Sequence, residues 1–272
     1  MTVTARAALA DAAARFAFSA TPRLDAELLL AHALGITRER LLLTLGDHDA
    51  PPAFAALVER RAAHEPVAYL TGTRAFWTID LDVAPGVLIP RADSETLIDA
   101  AVAHFAGTAG PKRVLDLGTG SGALLLAALD QWPMASGIGL DASPAALAIA
   151  SANAARIAPG RATIAAGGWA GTGEAFDLLL CNPPYIEKAA VLPPEVADYE
   201  PASALFAGAD GLDDYRALAP LLGHQIAPGG VACIEIGADQ GDIAAALFRA
   251  GGLNVTLRHD LAGRSRCLVV TP

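Results

Sequence analysis

Asn182-Pro183-Pro184-Tyr185 directly follows a strand-like apolar run, Phe176–Cys181. Pro183 and Pro184 fix φ and carry no N–H, so the loop presents carbonyl acceptors without competing proline donors. The side-chain oxygen of Asn182 adds another acceptor. An NH₂ group placed there has its hydrogens held and its lone pair aimed outward. Tyr185 can pack its ring against a planar amide or a base. A plain proline turn after a strand would leave the same residues with nothing to do. A second segment weighs against that reading. Asp116-Leu117-Gly118-Thr119-Gly120-Ser121-Gly122 follows a buried strand, Arg113–Leu117, and precedes a helical run. Its glycines let the backbone turn tightly and approach a ligand. N–H groups at the start of the helix suit a carboxylate.

The glycine loop is ambiguous by itself. With Ala123 it also satisfies a G-x-G-x-x-A dinucleotide pattern. Asp141 ends the next strand, where a carboxylate can accept hydrogen bonds from both ribose hydroxyls. That suits NAD and S-adenosylmethionine equally. Asp141 and Ser143 also precede Pro144, so Asp141 can serve as a helix cap. The proline loop discriminates, because a dinucleotide dehydrogenase has no need of it. A non-enzymatic dinucleotide-binding sensor leaves it unexplained as well.

These loops need a scaffold that places them together. Strand and helix patterns alternate beyond about residue 96. Strands are predicted at Arg113–Leu117, Gly137–Leu140, Ala162–Ala165, Phe176–Cys181 and Val231–Ile236, with a closing pair at Asn254–His259 and Arg266–Val270. Helices are predicted at Ala123–Leu129, Ala145–Ala155 and Ile243–Arg249. Such alternation implies an α/β fold, a Rossmann-like mostly parallel sheet with helices on both faces. Residues 1–71 read as helices only, with starts at Thr21-Pro22, Thr37 and Pro51-Pro52. Phe76, Trp77, Ile79, Leu81 and Val83, followed by Pro85-Gly86, predict a β-hairpin. The expected division is a helical domain at 1–71, a hairpin linker at 72–95 and a catalytic domain at 96–272.

Composition narrows the function. The chain has 272 residues, 53% of them apolar. The apolar stretches, such as Ala123–Leu129, fall far short of the roughly 20 residues that span a bilayer. Arg6, Asp11 and Arg15 interrupt the N-terminal apolar residues, so that segment reads as an amphipathic helix and not a signal peptide. A cytoplasmic protein is expected, with no membrane partner. Cys181, Cys233 and Cys267 lie in strand-like runs without a CxxC partner, and the histidines lack ligand spacing, so buried thiols and no metal site are expected. Residues 1–75 hold 8 basic and 8 acidic residues, and the remainder holds 11 and 21. The acidic catalytic half argues against nucleic acid as the substrate, because phosphate contacts need a basic field.

The sequence also resembles a known family. Asn-Pro-Pro-Tyr in this position is characteristic of amino-methyltransferases acting on glutamine, adenine N6 or guanine N2. Glu65-Pro66-Val67-Ala68-Tyr69-Leu70-Thr71-Gly72 and Leu88-Ile89-Pro90-Arg91-Ala92-Asp93-Ser94-Glu95 narrow the likeness to the PrmC/HemK family of peptide chain release factor glutamine methyltransferases. Tyr199-Glu200-Pro201, Glu235-Ile236-Gly237 and Asp260-Leu261-Ala262-Gly263-Arg264 are similar too. The resemblance implies a seven-stranded sheet and transfer of a methyl group from S-adenosylmethionine to a release-factor glutamine, in the service of translation termination. It implies that Gly118, Thr119, Gly120, Ser121, Gly122, Asp141, Trp169 and Asn182 bind the cofactor. Asn182, Pro183, Pro184 and Tyr185 would hold the acceptor glutamine, with Glu95 as an anchor behind them. A monomer is expected. Ala92 and Ser94 replace the family's usual Pro and Thr. Gly168 replaces an acidic residue that normally contacts the adenine amino group, so adenine is expected to rest on backbone groups and Trp169, without an acidic side chain. A nucleic-acid amino-methyltransferase is the alternative.

Overall fold

A computed structural model describes residues 3–272; Met1 and Thr2, the first residues of the expected helical domain, lie outside the described residues. The helical segments begin where caps and prolines start them. Thr4 accepts the Ala7 N–H to open α1 (Ala5–Arg15). Pro22 opens α2 (Pro22–Leu34), which stops at Gly35 in the left-handed region. Thr37 caps α3 (Arg38–Thr44), Pro52 opens α4 (Pro52–Ala62), and α5 (Val67–Thr71) follows. Leu9, Phe16, Leu29, Leu30 and Leu41 are fully buried among them.

The contacts divide the chain differently from the expected boundaries. One unit runs up to Thr73 and also takes in Leu192–Tyr199; the other holds Arg74–Val191 and Glu200–Pro272. Buried Arg61 explains the added segment. Its guanidinium pairs with Asp25 at 2.8 Å and with Glu195 at 2.9 Å, and it lies over the Phe18 ring. The Tyr199 hydroxyl donates to the Ala63 carbonyl at 2.8 Å. None of these pairings has a local sequence signature.

From Arg74 on, the second unit holds a two-stranded hairpin of β1 (Thr73–Phe76) and β2 (Ile79–Asp82). Then come α6 (Glu95–His104), β3 (Arg113–Leu117), α7 (Ala123–Gln131), β4 (Ser136–Asp141), α8 (Pro144–Ile157), β5 (Ala162–Ala166) and β6 (Phe176–Cys181). After α9 (Pro194–Ala197), which packs with the first unit, follow α10 (Asp213–Leu222), β7 (Ile226–Glu235), α11 (Gly241–Ala250), β8 (Asn254–His259) and β9 (Ser265–Thr271). The helices α6 and α10 were not predicted from sequence. The seven-stranded sheet has the order β5-β4-β3-β6-β7-β9-β8. Its first five strands are parallel, and β9 runs antiparallel to both neighbours.

Alternation along the strands builds a core on each face. Val114, Leu178 and Leu180 point to the side covered by Leu97, Ile98, Leu125 and Leu129. Leu115, Leu179 and Cys181 point to the side covered by Tyr215, Leu218 and Phe248. All three cysteines are buried and free. The sheet order reverses between β3 and β6, and ligands of open parallel sheets bind at the carboxyl ends of strands beside such a point.

Candidate active site

Gly118 follows β3, Asp141 ends β4, Gly167 follows β5 and Asn182 follows β6, so four segments converge on one sheet edge. A cavity of about 490 Å³ opens there, within the range usual for small-molecule sites. Gly118, Thr119, Gly120, Ser121, Asp141, Trp169, Asn182 and Pro184 line it. Of the residues singled out from sequence, Gly122, Pro183 and Tyr185 do not. Gly122 instead ends the loop at the start of α7.

The glycine loop is pinned from below. The Gly118 and Thr119 N–H groups both donate to the Leu140 carbonyl at 2.9 Å, and the Gly120 N–H donates to Asp141 Oδ2 at 2.9 Å. Those amides are therefore taken up by the neighbouring strand. Among the described residues, the N–H groups of Ser121, Ala123 and Leu124 have no recorded acceptor, and all three residues line the cavity. They are the helix-start donors available to a carboxylate. Gly118 has φ +71°, and a Cβ there would lie 3.3 Å from the Trp169 ring, so the loop needs glycine for both conformation and approach. Beneath it, buried Asp116 accepts from the Thr119 hydroxyl at 2.6 Å and the Leu125 N–H at 3.2 Å. Its other oxygen has no partner, and burial pushes its pKa up to about 7. Asp141 Oδ1 accepts the Ser143 N–H at 2.8 Å. Ser143, not Asp141, is the N-cap of α8. Carboxylate oxygens have further lone pairs, so Asp141 keeps capacity toward the cavity.

Asn182 donates its side-chain NH₂ to the Ser94 hydroxyl at 3.3 Å. This turns the amide nitrogen away and leaves the amide oxygen as an acceptor. Tyr185 is half-buried, and its hydroxyl donates inward to Glu235 at 3.2 Å. Its hydroxyl is thus tied behind the loop, and the residue stands off the cavity lining. Burial drives the Glu235 carboxyl up to about 7 against the opposing pull of Ser94, Arg266 and Tyr185, and its Oε2 has no partner. Burial, with Glu235 beside it, also raises the Tyr185 phenol. Glu95 accepts the Trp77 N–H at 2.9 Å, so it secures the hairpin turn and does not line the cavity. Arg91, on the cavity wall, is ion-paired with buried Glu200, which also accepts the Ile89 N–H at 3.2 Å.

Residues 7–72 match the PrmC N-terminal domain and residues 93–198 the methyltransferase small domain. A release factor glutamine methyltransferase of Rhodospirillum rubrum is 44% identical over 257 residues, covering 91% of this chain and 78% of that one. One from Moorella thermoacetica is 41% identical over 279 residues, covering 98% of each. The chain belongs to the release factor glutamine methyltransferase family. The hMettl16 catalytic domain, solved with an RNA hairpin, shares the fold with a TM-score of 0.55 at 14% identity, over 77% of this chain and 80% of that one.

Within this family member, sequence reasoning missed three site residues. Ser94 reads in the sequence only as a departure from the family's Thr, yet it bonds Asn182. Glu235 reads only as part of a motif, and Asp214 gives no signal of its own. It lines the cavity from α10 and accepts the Trp169 indole N–H at 3.0 Å. An acidic side chain therefore stands beside Trp169, where backbone and apolar contact alone were expected. Acidic Asp213-Asp214 at a helix start reads as ordinary dipole compensation, which masks the signal. No described helix is long and apolar enough to cross a membrane.

Proposed function

We propose that this chain methylates the side-chain amide nitrogen of a glutamine in a peptide chain release factor, with S-adenosylmethionine as donor. One observation carries the reading: the glycine loop and the free oxygen of Asn182 face the same cavity. The residues present fit the cofactor. The Ser121, Ala123 and Leu124 amides suit its carboxylate, Asp141 its ribose, and Trp169 its adenine. When bound, the cofactor supplies a methyl group on a sulfonium, a good leaving group. An amide nitrogen is a poor nucleophile because its lone pair is delocalised. Asn182 Oδ1, on the cavity wall, would orient the acceptor NH₂ with its lone pair toward the donor methyl group, whose sulfur would leave as a neutral thioether; proximity and preorganised acceptors would supply the rest. The nitrogen loses its proton after it has become cationic, so no strong general base is assigned. The proposed acceptor-holding residues are Asn182, Pro183, Pro184 and Tyr185, of which Asn182 and Pro184 stand on the cavity wall.

The described residues of the 1–71 segment contain no cofactor loop, and this segment serves as a second surface that grips the partner protein. A lone glutamine offers little binding energy, so remote contacts must position it. We assign the reaction to the cytoplasm and the enzyme to a monomer, with no direct nucleic-acid partner.

The test is incubation with labelled S-adenosylmethionine and purified release factor, followed by peptide mass mapping. The methyl group should reside on one glutamine, and a short peptide around it should be a much poorer substrate. Label on adenine or guanine of nucleic acid, with none on protein, would favour the alternative.

A further inference from the structure

Two carboxylates line the cavity, Asp141 and Asp214. Asp141 sits on the end of β4 and steadies the glycine loop through Gly120. Asp214 belongs to another element, the first turn of α10, and stands with Gly167, Gly168 and Trp169 in the cavity lining. Its Oδ1 is fixed by the Trp169 indole N–H at 3.0 Å. Its Oδ2 accepts no hydrogen bond among the described residues. The group is half-buried, and burial raises its pKa from the ordinary carboxylate value.

The indole N–H lies in the plane of its ring. A carboxylate bonded to it therefore sits at the ring edge. A purine stacked on that ring presents its own edge substituents in a parallel plane, within reach of the same carboxylate. The spare oxygen is an acceptor only and calls for a neutral N–H donor there. S-adenosylmethionine has one such donor on its base, the 6-amino group. Its cationic ammonium belongs to the amino-acid end, whose carboxylate is served by the Ser121, Ala123 and Leu124 amides. We propose that Asp214 accepts a hydrogen bond from the adenine 6-amino group and so selects adenine over 6-oxopurines. The assignment rests on the cofactor reading above.

The consequence is a defined base preference. Hypoxanthine carries an oxygen where adenine carries the amino group, and two acceptors facing each other repel. An unpaired acceptor in a partly desolvated wall adds to the cost.

Calorimetry on the full-length protein tests this with S-adenosylhomocysteine and S-inosylhomocysteine. The wild type should prefer the adenosyl ligand by about 10- to 100-fold, as for a hydrogen bond to a charged group. Asp214→Ala should bring the two affinities within about threefold of each other. Asp214→Asn can keep its carbonyl on the Trp169 N–H and turn its NH₂ to the purine, so it should level or invert the preference. If both variants weaken the two ligands equally, with the wild-type ratio intact, Asp214 only steadies Trp169 and the proposal is overturned. If the wild type binds neither ligand, the cofactor reading fails and takes the proposal with it. Thermal unfolding of each variant establishes that the comparison is made on folded protein.

Discussion

The glycine loop and the Asn-Pro-Pro-Tyr loop border one cavity but are built in opposite ways. The glycine loop is held mainly through its own backbone amides, by the Leu140 carbonyl and the Asp141 carboxylate at the end of the neighbouring strand, and Asp116 holds it from its own strand. The proline loop is held by side chains from far along the chain. Asn182 is turned by Ser94, 88 residues away, and Tyr185 by Glu235, 50 residues away. A backbone-built site survives most side-chain changes and fails when a glycine is lost. A side-chain-built site fails one residue at a time, and its failures should separate binding from turnover.

The largest effect is expected at Asn182. Asn182→Ala removes the acceptor oxygen that orients the substrate amide and should lower kcat by about 10²–10³-fold or more, as for loss of a preorganised polar group. Affinity for S-adenosylhomocysteine should stay within about threefold, because the loop amides and Asp141 carry that binding. Single-turnover kinetics beside calorimetry separates the two. Equal losses in both would erase the contrast between the loops.

Asp141→Ala should act the other way round, on binding first. A charge-assisted hydrogen bond to ribose contributes about 1.5–3 kcal/mol, so affinity should fall roughly 10- to 150-fold. The variant also frees the Gly120 and Ser143 amides, so loosening of the loop adds to the loss. Calorimetry reads the result, and unchanged affinity would reduce Asp141 to a structural anchor.

The same contrast governs what was legible in the sequence. Strands β3, β6 and β8 begin and end where the residue patterns predict, and the glycine loop announces itself because its residue types and its partners are contiguous. Ser94 and Glu235 could be placed beneath the proline loop only by the fold. Tyr185 shows the gap: its type suggests a ring for packing on a planar group, but only the fold shows that its hydroxyl bonds to buried Glu235. The segment Leu192–Tyr199 was hidden for a similar reason. Its attachment depends on Arg61, whose two carboxylate partners lie 36 residues before it and far beyond it in the chain. Helix α10 carries Pro220 inside it, which obscures its helical pattern.

A smaller effect, on stability, should come from Glu235. Its pKa in the folded protein, about 7, lies above the ordinary glutamate value, so the folded state binds a proton more tightly than the unfolded chain. The contribution of this group to stability is therefore greatest at low pH. It is lost as pH rises from the ordinary glutamate value through about 7, by at most about 1.4 kcal/mol per pH unit. Asp116, raised to about 7 by burial, acts in the same direction. Glu235→Gln should stay neutral throughout and keep a partner for Tyr185. Its thermal stability relative to wild type should improve between pH 5 and pH 8. A constant difference across that range would show that Glu235 does not titrate there.

The smallest effect is expected at Gly168, and its smallness is informative. Gly118 and Gly168 both border the cavity, yet only Gly118 has a structural need for glycine. A Cβ at 118 would press on Trp169 in a left-handed backbone. A Cβ at 168 would meet nothing within 4 Å, and the backbone there lies outside the left-handed region. Gly168→Asp should therefore fold without strain. Its carboxylate could reach the same wall as Asp214, where one acceptor already serves the base. A second adds little, and repulsion between the two is screened at an exposed position. Affinity for S-adenosylhomocysteine should change by less than about threefold in either direction, in keeping with the modest energies of exposed charges. A loss beyond tenfold, in a variant with unchanged thermal stability, would mean that the cofactor lies against the bare Gly168 backbone. Gly168 would then join the backbone-built half of the site, and the cofactor pocket would extend the logic of the glycine loop to the end of β5.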